Sequence, residues 1–279
     1  MAEAALPASS VSVLTGMDDA YDGVLVDAAS LPENKADFTE SLLHSLEIWR
    51  RQGKRGIWLR VPIEKAGYLE PAVAAGFVFH HAEPTHVMCT HWLSLDVNKL
   101  PANASHQVGI GAFVLNKRRE VLVVQEKNGP LRGQSVWKMP TGLVNAGEDV
   151  SEAAEREVLE ETGVRAKFQA VLAIRQAHGF AFDKSDMFFC IALTPEPGQS
   201  ALVPQADEIQ AAAWMPLEEY AAIPFIHSRP LLQRTLGCCL AYANGTYSGL
   251  AGFKVGHGGT GARQDLLLCG EDGGGEAGG

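Results

Sequence analysis

Between Gly142 and Val164 the chain places three glutamates on one face of a short segment, and their charge limits what that segment can be. Glu157, Glu160 and Glu161 stand at i, i+3 and i+4, positions that adjoin on a helix. Like charges at this spacing repel and weaken the helix that carries them. Arg156 is the one basic residue between Gly142 and Val164 and offsets little of that charge. A hard divalent cation with a preference for oxygen ligands would offset it. The expected counter-charge is therefore Mg²⁺ or Mn²⁺.

Local signals predict a helix from Val150 to Thr162. Asp149 followed by Glu152 has the form of a capping box, in an end where the helix dipole favours acids. Ala153, Ala154, Val158 and Leu159 supply a modest apolar surface. Gly163 suits the left-handed position that ends a helix. Upstream, Met139-Pro140-Thr141-Gly142 reads as a loop that carries Glu148 to the helix.

These residues reproduce a motif of nine specified positions without a gap: Gly142, Glu148, Arg156, Glu157, Val158, Glu160, Glu161, Gly163 and Val164. The chain thereby resembles the Nudix hydrolases, which cleave a nucleoside diphosphate linked to another moiety. The resemblance implies an α/β/α sandwich with a mixed sheet. It implies Glu157 and Glu161 as direct metal ligands, Glu160 as a ligand directly or through water, and the Thr141 carbonyl as a further one. Arg156 would orient the carboxylates and Glu148 would brace the loop. The family often recruits a base from the loop before a later Ile-x-x-x-x-Trp strand. Here that points to Glu208, with Asp207 as rival, ahead of Ile209 and Trp214.

At 279 residues the chain has room for two domains, and 46% hydrophobic with 20% charged residues is a globular balance. A formal net charge of −10 argues against non-specific nucleic-acid or membrane-surface binding, which favour basic surfaces. Five cysteines without Cys-x-x-Cys spacing suggest reduced thiols, and the N-terminus lacks the pattern of a signal or transit peptide. A cytoplasmic protein is expected. No run of 18 apolar residues is present, so no membrane span is expected.

Residues 10–95 read as a small α/β unit. Strands are expected over Gly23–Asp27 and Gly56–Val61, with a further pair over Phe77–His80 and His86–Leu93. One helix is expected over Phe38–Gly53, with Leu42, Leu43, Leu46 and Trp49 as its apolar stripe. A second is expected over Ile63–Ala75. This unit resembles the pre-Nudix region of plant ADP-ribose/NADH pyrophosphatases, itself similar to acetyltransferase folds. Arg50-Arg51-Gln52-Gly53-Lys54-Arg55 lacks the small residue that closes an acetyl-CoA motif, so acetyl transfer is not expected. Residues 96–105 read as a linker and 106–250 as the Nudix domain. Its expected strands are Val108–Leu115, Val121–Gln125, Ala166–Gln176, Met187–Leu193 and Ile209–Trp214, with helices over Pro216–Ile223 and His227–Asn244. Ten of the 24 residues from Gly256 are glycine, which predicts a disordered tail over 256–279.

Lys138 is a candidate phosphate contact. Phe180 and Phe182, with Phe188 nearby, are candidates to stack on a base, while Trp137 reads as packing under the box loop. No four-cysteine zinc ribbon follows the box, the coenzyme A group's extra motif is absent, and Gly179 stands where bacterial-type ADP-ribose enzymes tend to carry proline. The pre-Nudix unit and the segment His178–Asp186 look closest to the plant group. Through that likeness ADP-ribose and NADH are the expected substrates and a homodimer the expected assembly. A sanitiser of 8-oxo-dGTP and a non-catalytic nucleotide sensor are the alternative readings.

Overall fold

The chain divides into two compact units between Ala104 and Ser105. The structure, a computed structural model, describes residues 11–129, 132–179, 181–199, 201–255 and 264–269. In the first unit the elements are β1 (Gly16–Asp18), β2 (Val24–Val26), α1 (Lys35–Arg51), β3 (Gly56–Pro62), α2 (Leu69–Ala74), β4 (Val78–Glu83) and β5 (His86–Trp92). The sheet order is β1-β2-β3-β5-β4. Only β2 and β3 run parallel; the other neighbours are antiparallel.

Helix α1 starts where the Asn34 side chain accepts the Asp37 N–H at 2.8 Å, an N-cap. It buries Phe38, Leu42, Leu46 and Trp49 against Val24, Val26, Ile57 and Leu59. Leu43, expected in that stripe, is exposed, because one residue's step turns it about 100° off the buried face. The helix expected over 63–75 is broken. A 3₁₀ turn over Ile63–Tyr68 contains Lys65 at φ −109°, and α2 begins only at Leu69. Pro71 is tolerated in a first turn and nowhere deeper, which fixes the restart just before it. Residues expected to be a linker pack on this unit: Arg55 Nη2 donates to Asp96 Oδ2 at 2.7 Å and Trp92 Nε1 to the Asp96 carbonyl at 3.0 Å.

The second unit comprises β6 (His106–Val114), β7 (Glu120–Glu126), β8 (Thr141–Leu143), α3 (Val150–Thr162), β9 (Ala166–Ala177), β10 (Ser185–Pro195), β11 (Ile209–Pro216), α4 (Leu217–Ala221), α5 (Pro224–His227), α6 (Pro230–Ala243), β12 (Leu250–Val255) and β13 (Gln264–Cys269). A six-stranded sheet has the order β13-β12-β9-β10-β6-β8, and β7 pairs with β11 beside it. The sheet is mixed: β6 and β10 run parallel, while β10 and β9 are antiparallel.

Period-two alternation divides its side chains between two cores. Ile110, Ala112, Val114, Leu122, Ile191 and Leu193 face α3 through Ala153, Ala154 and Val158. Phe113, Val121, Val123, Cys190 and Ala192 face the other way, onto Leu217, Tyr220, Ile226, Leu236 and Cys239 of α4, α5 and α6. Helices on both faces of a mixed sheet are the expected α/β/α sandwich.

Two bulges interrupt this alternation in β9. Cys190 pairs with Ala173 but Ile191 with Val171, leaving Leu172 as the extra residue, and a second shift leaves out Gln169. A bulge reverses which parity faces which side. Val171 therefore meets the α3 core while Ala173, two residues on, meets the opposite one.

Proline sets the ends of the late helices. Pro216 is the N-cap of α4 rather than its first residue. The helix expected over 227–244 is α6, which opens at Pro230, three residues later, because the short α5 ends at His227 before it. Within the expected tail, Gln264–Cys269 forms β13, antiparallel to β12. Its run Leu266-Leu267-Leu268 is apolar, a fact the glycine count hides. Residues 256–263 and 270–279 lie outside the described residues. Among the described residues no helix is long and apolar enough to cross a membrane.

Helix α3 occupies the predicted span. Asp149 has the extended backbone of an N-cap, while its side chain makes no cap hydrogen bond to the first turn. Gly163 ends the helix at φ 74°, and a Cβ there would stand 3.0 Å from Val203 Cβ. Gly163→Ala is expected to lower stability by about 1–3 kcal/mol through left-handed strain alone. Urea unfolding should show a lower midpoint with an unchanged m-value.

Candidate active site

Helix α3 and the loop before it are joined through one guanidinium. Arg156 Nε donates to Glu148 Oε1 at 2.7 Å and Nη2 to Glu148 Oε2 at 3.0 Å, a bidentate pair. Nη2 also reaches the Leu143 carbonyl at 2.9 Å. Nη1 donates to Glu157 Oε1 at 2.7 Å and to Glu160 Oε2 at 3.0 Å. These five contacts use all five N–H donors of the side chain. The hydrogen bond to Glu148, foremost, drives the Arg156 pKa above its ordinary value. Glu148 is held below the usual carboxylate range by Arg156 and by the Asn145 N–H, which donates at 2.9 Å. The brace expected of Glu148 is what the geometry shows.

Glu157 lies over the backbone of β8. A Cβ on Gly142 would collide with the Glu157 carboxylate, so only glycine fits there while the carboxylate keeps its place. Burial pushes the Glu157 pKa up, against the opposing pull of Arg156. Glu160 is the exposed member of the set and is tied to Arg156.

Glu161 is the odd carboxylate. It is 5% exposed, and burial pushes its pKa up to about 8, with Lys138 and the Thr141 backbone opposing and Glu157 and Glu126 adding. Its Oε2 is buried with no hydrogen-bond partner. A buried acceptor without a donor is costly, and a donor or a cation would satisfy such an oxygen.

Lys138 is bound at both ends of its reach. Its Nζ donates to Thr141 Oγ1 at 2.6 Å and pairs with Glu126. Glu126 was not singled out by the sequence. It closes β7 opposite Ile209, so pairing across the β7–β11 ladder is what delivers it. The loop carrying Glu208 is fastened on the same side: Val203 N–H donates to the Thr162 carbonyl at 2.8 Å and Gln205 N–H to the Glu161 carbonyl at 3.2 Å. The Glu208 carbonyl accepts the Lys127 N–H at 2.8 Å, and its side chain is exposed. Asp207 is exposed beside it.

The aromatic candidates separate. Phe180 lies outside the described residues. Phe182 is 88% exposed in a turn with φ 54°. Phe188 instead lines a cavity next to Lys138 and Thr141, as does Trp137, which was expected only to pack under the loop. Arg175 lies over the Phe188 ring, 4.9 Å from its centroid, and pairs with the buried Asp186. The β9 bulge at Leu172 turns Arg175 to this face, which periodicity in the sequence cannot reveal. Cys89, Cys190, Cys238 and Cys239 are free thiols.

Known proteins carry the same two regions. A family model described as a Nudix hydrolase domain matches residues 14–93, and one described as a NUDIX domain matches residues 105–234. Nudix hydrolase 2 of Arabidopsis thaliana is 45% identical over 246 residues, 88% of this chain and 87% of that protein. Nudix hydrolase 7 of the same plant is 43% identical over 88% of this chain and 86% of its own length. The human nucleoside diphosphate-linked moiety X motif 6 is 39% identical over 65% of this chain and 59% of that protein. Among solved structures, a NUDIX hydrolase from Nitrosomonas europaea is 23% identical with a TM-score of 0.37, covering 50% of this chain and 90% of that one. At that score the structural likeness adds nothing. With an unbroken box held in place by Arg156, and 45% identity to a plant Nudix hydrolase over 87% of that protein, the chain belongs to the Nudix hydrolase family.

Proposed function

We propose that this protein hydrolyses the pyrophosphate bond of nucleoside diphosphate derivatives with Mg²⁺ or Mn²⁺, foremost ADP-ribose, to AMP and ribose 5-phosphate, and NADH. The observation that carries the reading is the unpartnered Oε2 of Glu161, buried beside the half-buried carboxylate of Glu157. The donor set is all oxygen, which suits a hard cation. Glu157 and Glu161 would hold it directly, Glu160 directly or through water, and the Thr141 carbonyl would complete the set. Among the described residues no three acidic, histidine or cysteine groups converge on one point, and Arg156 holds one oxygen each of Glu157 and Glu160.

A bound divalent ion supplies charge neutralisation on the phosphate oxygens and a more acidic water. The rest falls to the chain. Lys138 offers a positive charge at the edge of the cluster, and Arg156 keeps Glu157 aimed at the Gly142 backbone. Glu208, exposed on a loop fastened to the end of α3, is the group to take a proton from the attacking water. The names of the relatives support the class: hydrolase for the plant proteins, a nucleoside diphosphate-linked moiety for the human one. The likeness to the plant group supports ADP-ribose and NADH, and a cytoplasmic homodimer goes with it.

Two outcomes are expected. Glu157→Gln and Glu161→Gln should each lower kcat about a hundredfold or more with little change in KM, since the charge acts most in the transition state. A panel of ADP-ribose, NADH and 8-oxo-dGTP at equal concentration, with and without chelator, checks both substrate and metal. Equal loss in kcat and in binding, or turnover that survives chelation, would defeat the reading.

The second outcome concerns stability without metal. Glu161 titrates near 8 in the folded chain against 4.5 for a free glutamate. The folded state thus holds the proton more tightly, so stability falls as pH rises between those two values and levels off above them. Thermal unfolding in chelator should show that decline, Glu161→Gln should flatten it, and Mg²⁺ should raise Tm most at the alkaline end. A decline untouched by Glu161→Gln would remove Glu161 as its cause.

A further inference from the structure

The first unit carries a pair of histidines outside the candidate active site. In β4, Phe79 pairs with Cys89 of β5 and His81 with its neighbour Met88, so His80 is an extra residue in the ladder. Neighbours on a regular strand point to opposite faces, and a bulge re-aims one of them. Here the two half-buried rings meet, with His80 Nδ1 and His81 Nδ1 2.6 Å apart.

Their partners fix the tautomers. His80 Nε2 lies 3.0 Å from the Pro101 carbonyl, which can only accept, so Nε2 carries the proton. In the neutral ring Nδ1 is then a lone pair. His81 answers it with an Nδ1–H, whose proton the same ring can carry on Nε2 instead. An imidazole whose far N–H is tied to a backbone carbonyl is how histidine commonly ligates a metal. Imidazole nitrogens suit zinc, copper and nickel, and spacing discriminates among them. Metal–nitrogen bonds of about 2.0 Å put nitrogens roughly 2.8 Å apart at a right angle and roughly 3.3 Å apart at a tetrahedral one. The separation of 2.6 Å lies nearer the square-planar edge, which belongs to Cu²⁺ and Ni²⁺, and Cu²⁺ binds the more tightly of those two. His86 comes next, its ring centroid 6.2 Å from that of His81, but among the described residues no third such group converges with the pair.

From the bulge, the facing Nδ1 atoms and the Pro101 contact together, we propose that His80 and His81 form a Cu²⁺ site, with the ion held by both Nδ1 atoms in cis and its other positions filled by water. On binding, the His81 proton leaves Nδ1 and returns to Nε2 by exchange with solvent, so the ring stays neutral. The site uses no residue of the box and is independent of the pyrophosphatase reading.

The test titrates Cu²⁺ into the full chain held in excess Mg²⁺, which occupies carboxylate sites. Electron paramagnetic resonance should show one Cu²⁺ per chain coupled to two nitrogens. The Trp58 ring lies edge-on to His80, 5.0 Å between centroids, so bound Cu²⁺ should quench part of the tryptophan emission. Trp58→Phe should remove most of that quenching and leave the affinity unchanged. His80→Ala and His81→Ala, each shown folded by circular dichroism, should weaken Cu²⁺ binding about tenfold or more, since even an outer partner of a ligand counts for that much. His44→Ala on α1 should not, and Zn²⁺ should bind more weakly than Cu²⁺. A spectrum of the unaltered chain without two-nitrogen coupling overturns the proposal, with no variant needed. So does an affinity unchanged in His80→Ala and His81→Ala, Zn²⁺ binding at the pair more tightly than Cu²⁺, or Cu²⁺ that Mg²⁺ displaces.

Discussion

The Arg156 guanidinium is the contact on which the candidate site depends. Three glutamates on one short helix would repel each other and the acidic loop in front of them. One planar cation with five fixed donors answers Glu148, Glu157, Glu160 and the Leu143 carbonyl together. A lysine could not do this, since an ammonium is a point charge without that fork. The arrangement leaves Glu161 out. Glu161 is the deepest of the acids, has no share in Arg156, and keeps an unpaired oxygen. The guanidinium thus arranges the outer acids and leaves the inner one short of positive charge, which is the condition a cation would relieve.

Backbone close to the acids has to be bare for this to work. Gly142 sits on β8 paired with Ile110 of β6, and the Glu157 carboxylate occupies the space a side chain would need. A glycine in a motif is often read as a turn. Here its backbone is an ordinary strand and the requirement is room.

Much of this was legible in the residues because it is local. The span of α3, the left-handed Gly163 and the Glu148 brace are set by neighbours within about twenty residues, and the sequence predicted each. The sandwich followed from the family likeness and is visible in the alternation of β6 and β10. What failed was also local, but depended on geometry: the Asp149 side chain that makes no cap hydrogen bond, Leu43 one step off its stripe, and the helix over 63–75 that breaks at Lys65 and restarts at Leu69. What was missed is non-local. Glu126 reaches the cluster only through the β7–β11 ladder. Phe182, plausible by its company in the sequence, is out in solvent, and Phe188, six residues on, took the place expected of it.

The β9 bulges show why the cavity in particular could not be read from the chain. Strict alternation would put Val171, Ala173 and Arg175 on one face, against α3. The extra residue at Leu172 shifts the register, so Val171 stays in the α3 core while Ala173 and Arg175 cross to the side of α4, α5 and α6. There Arg175 finds Phe188 and Asp186 of β10 and closes one wall of the cavity. Bulges tend to gather beside sites because they re-aim a side chain without moving the strand that carries it. In this fold one irregular strand serves both apolar layers: Val171 packs toward α3 on one face of the sheet, and Ala173 toward α6 on the other.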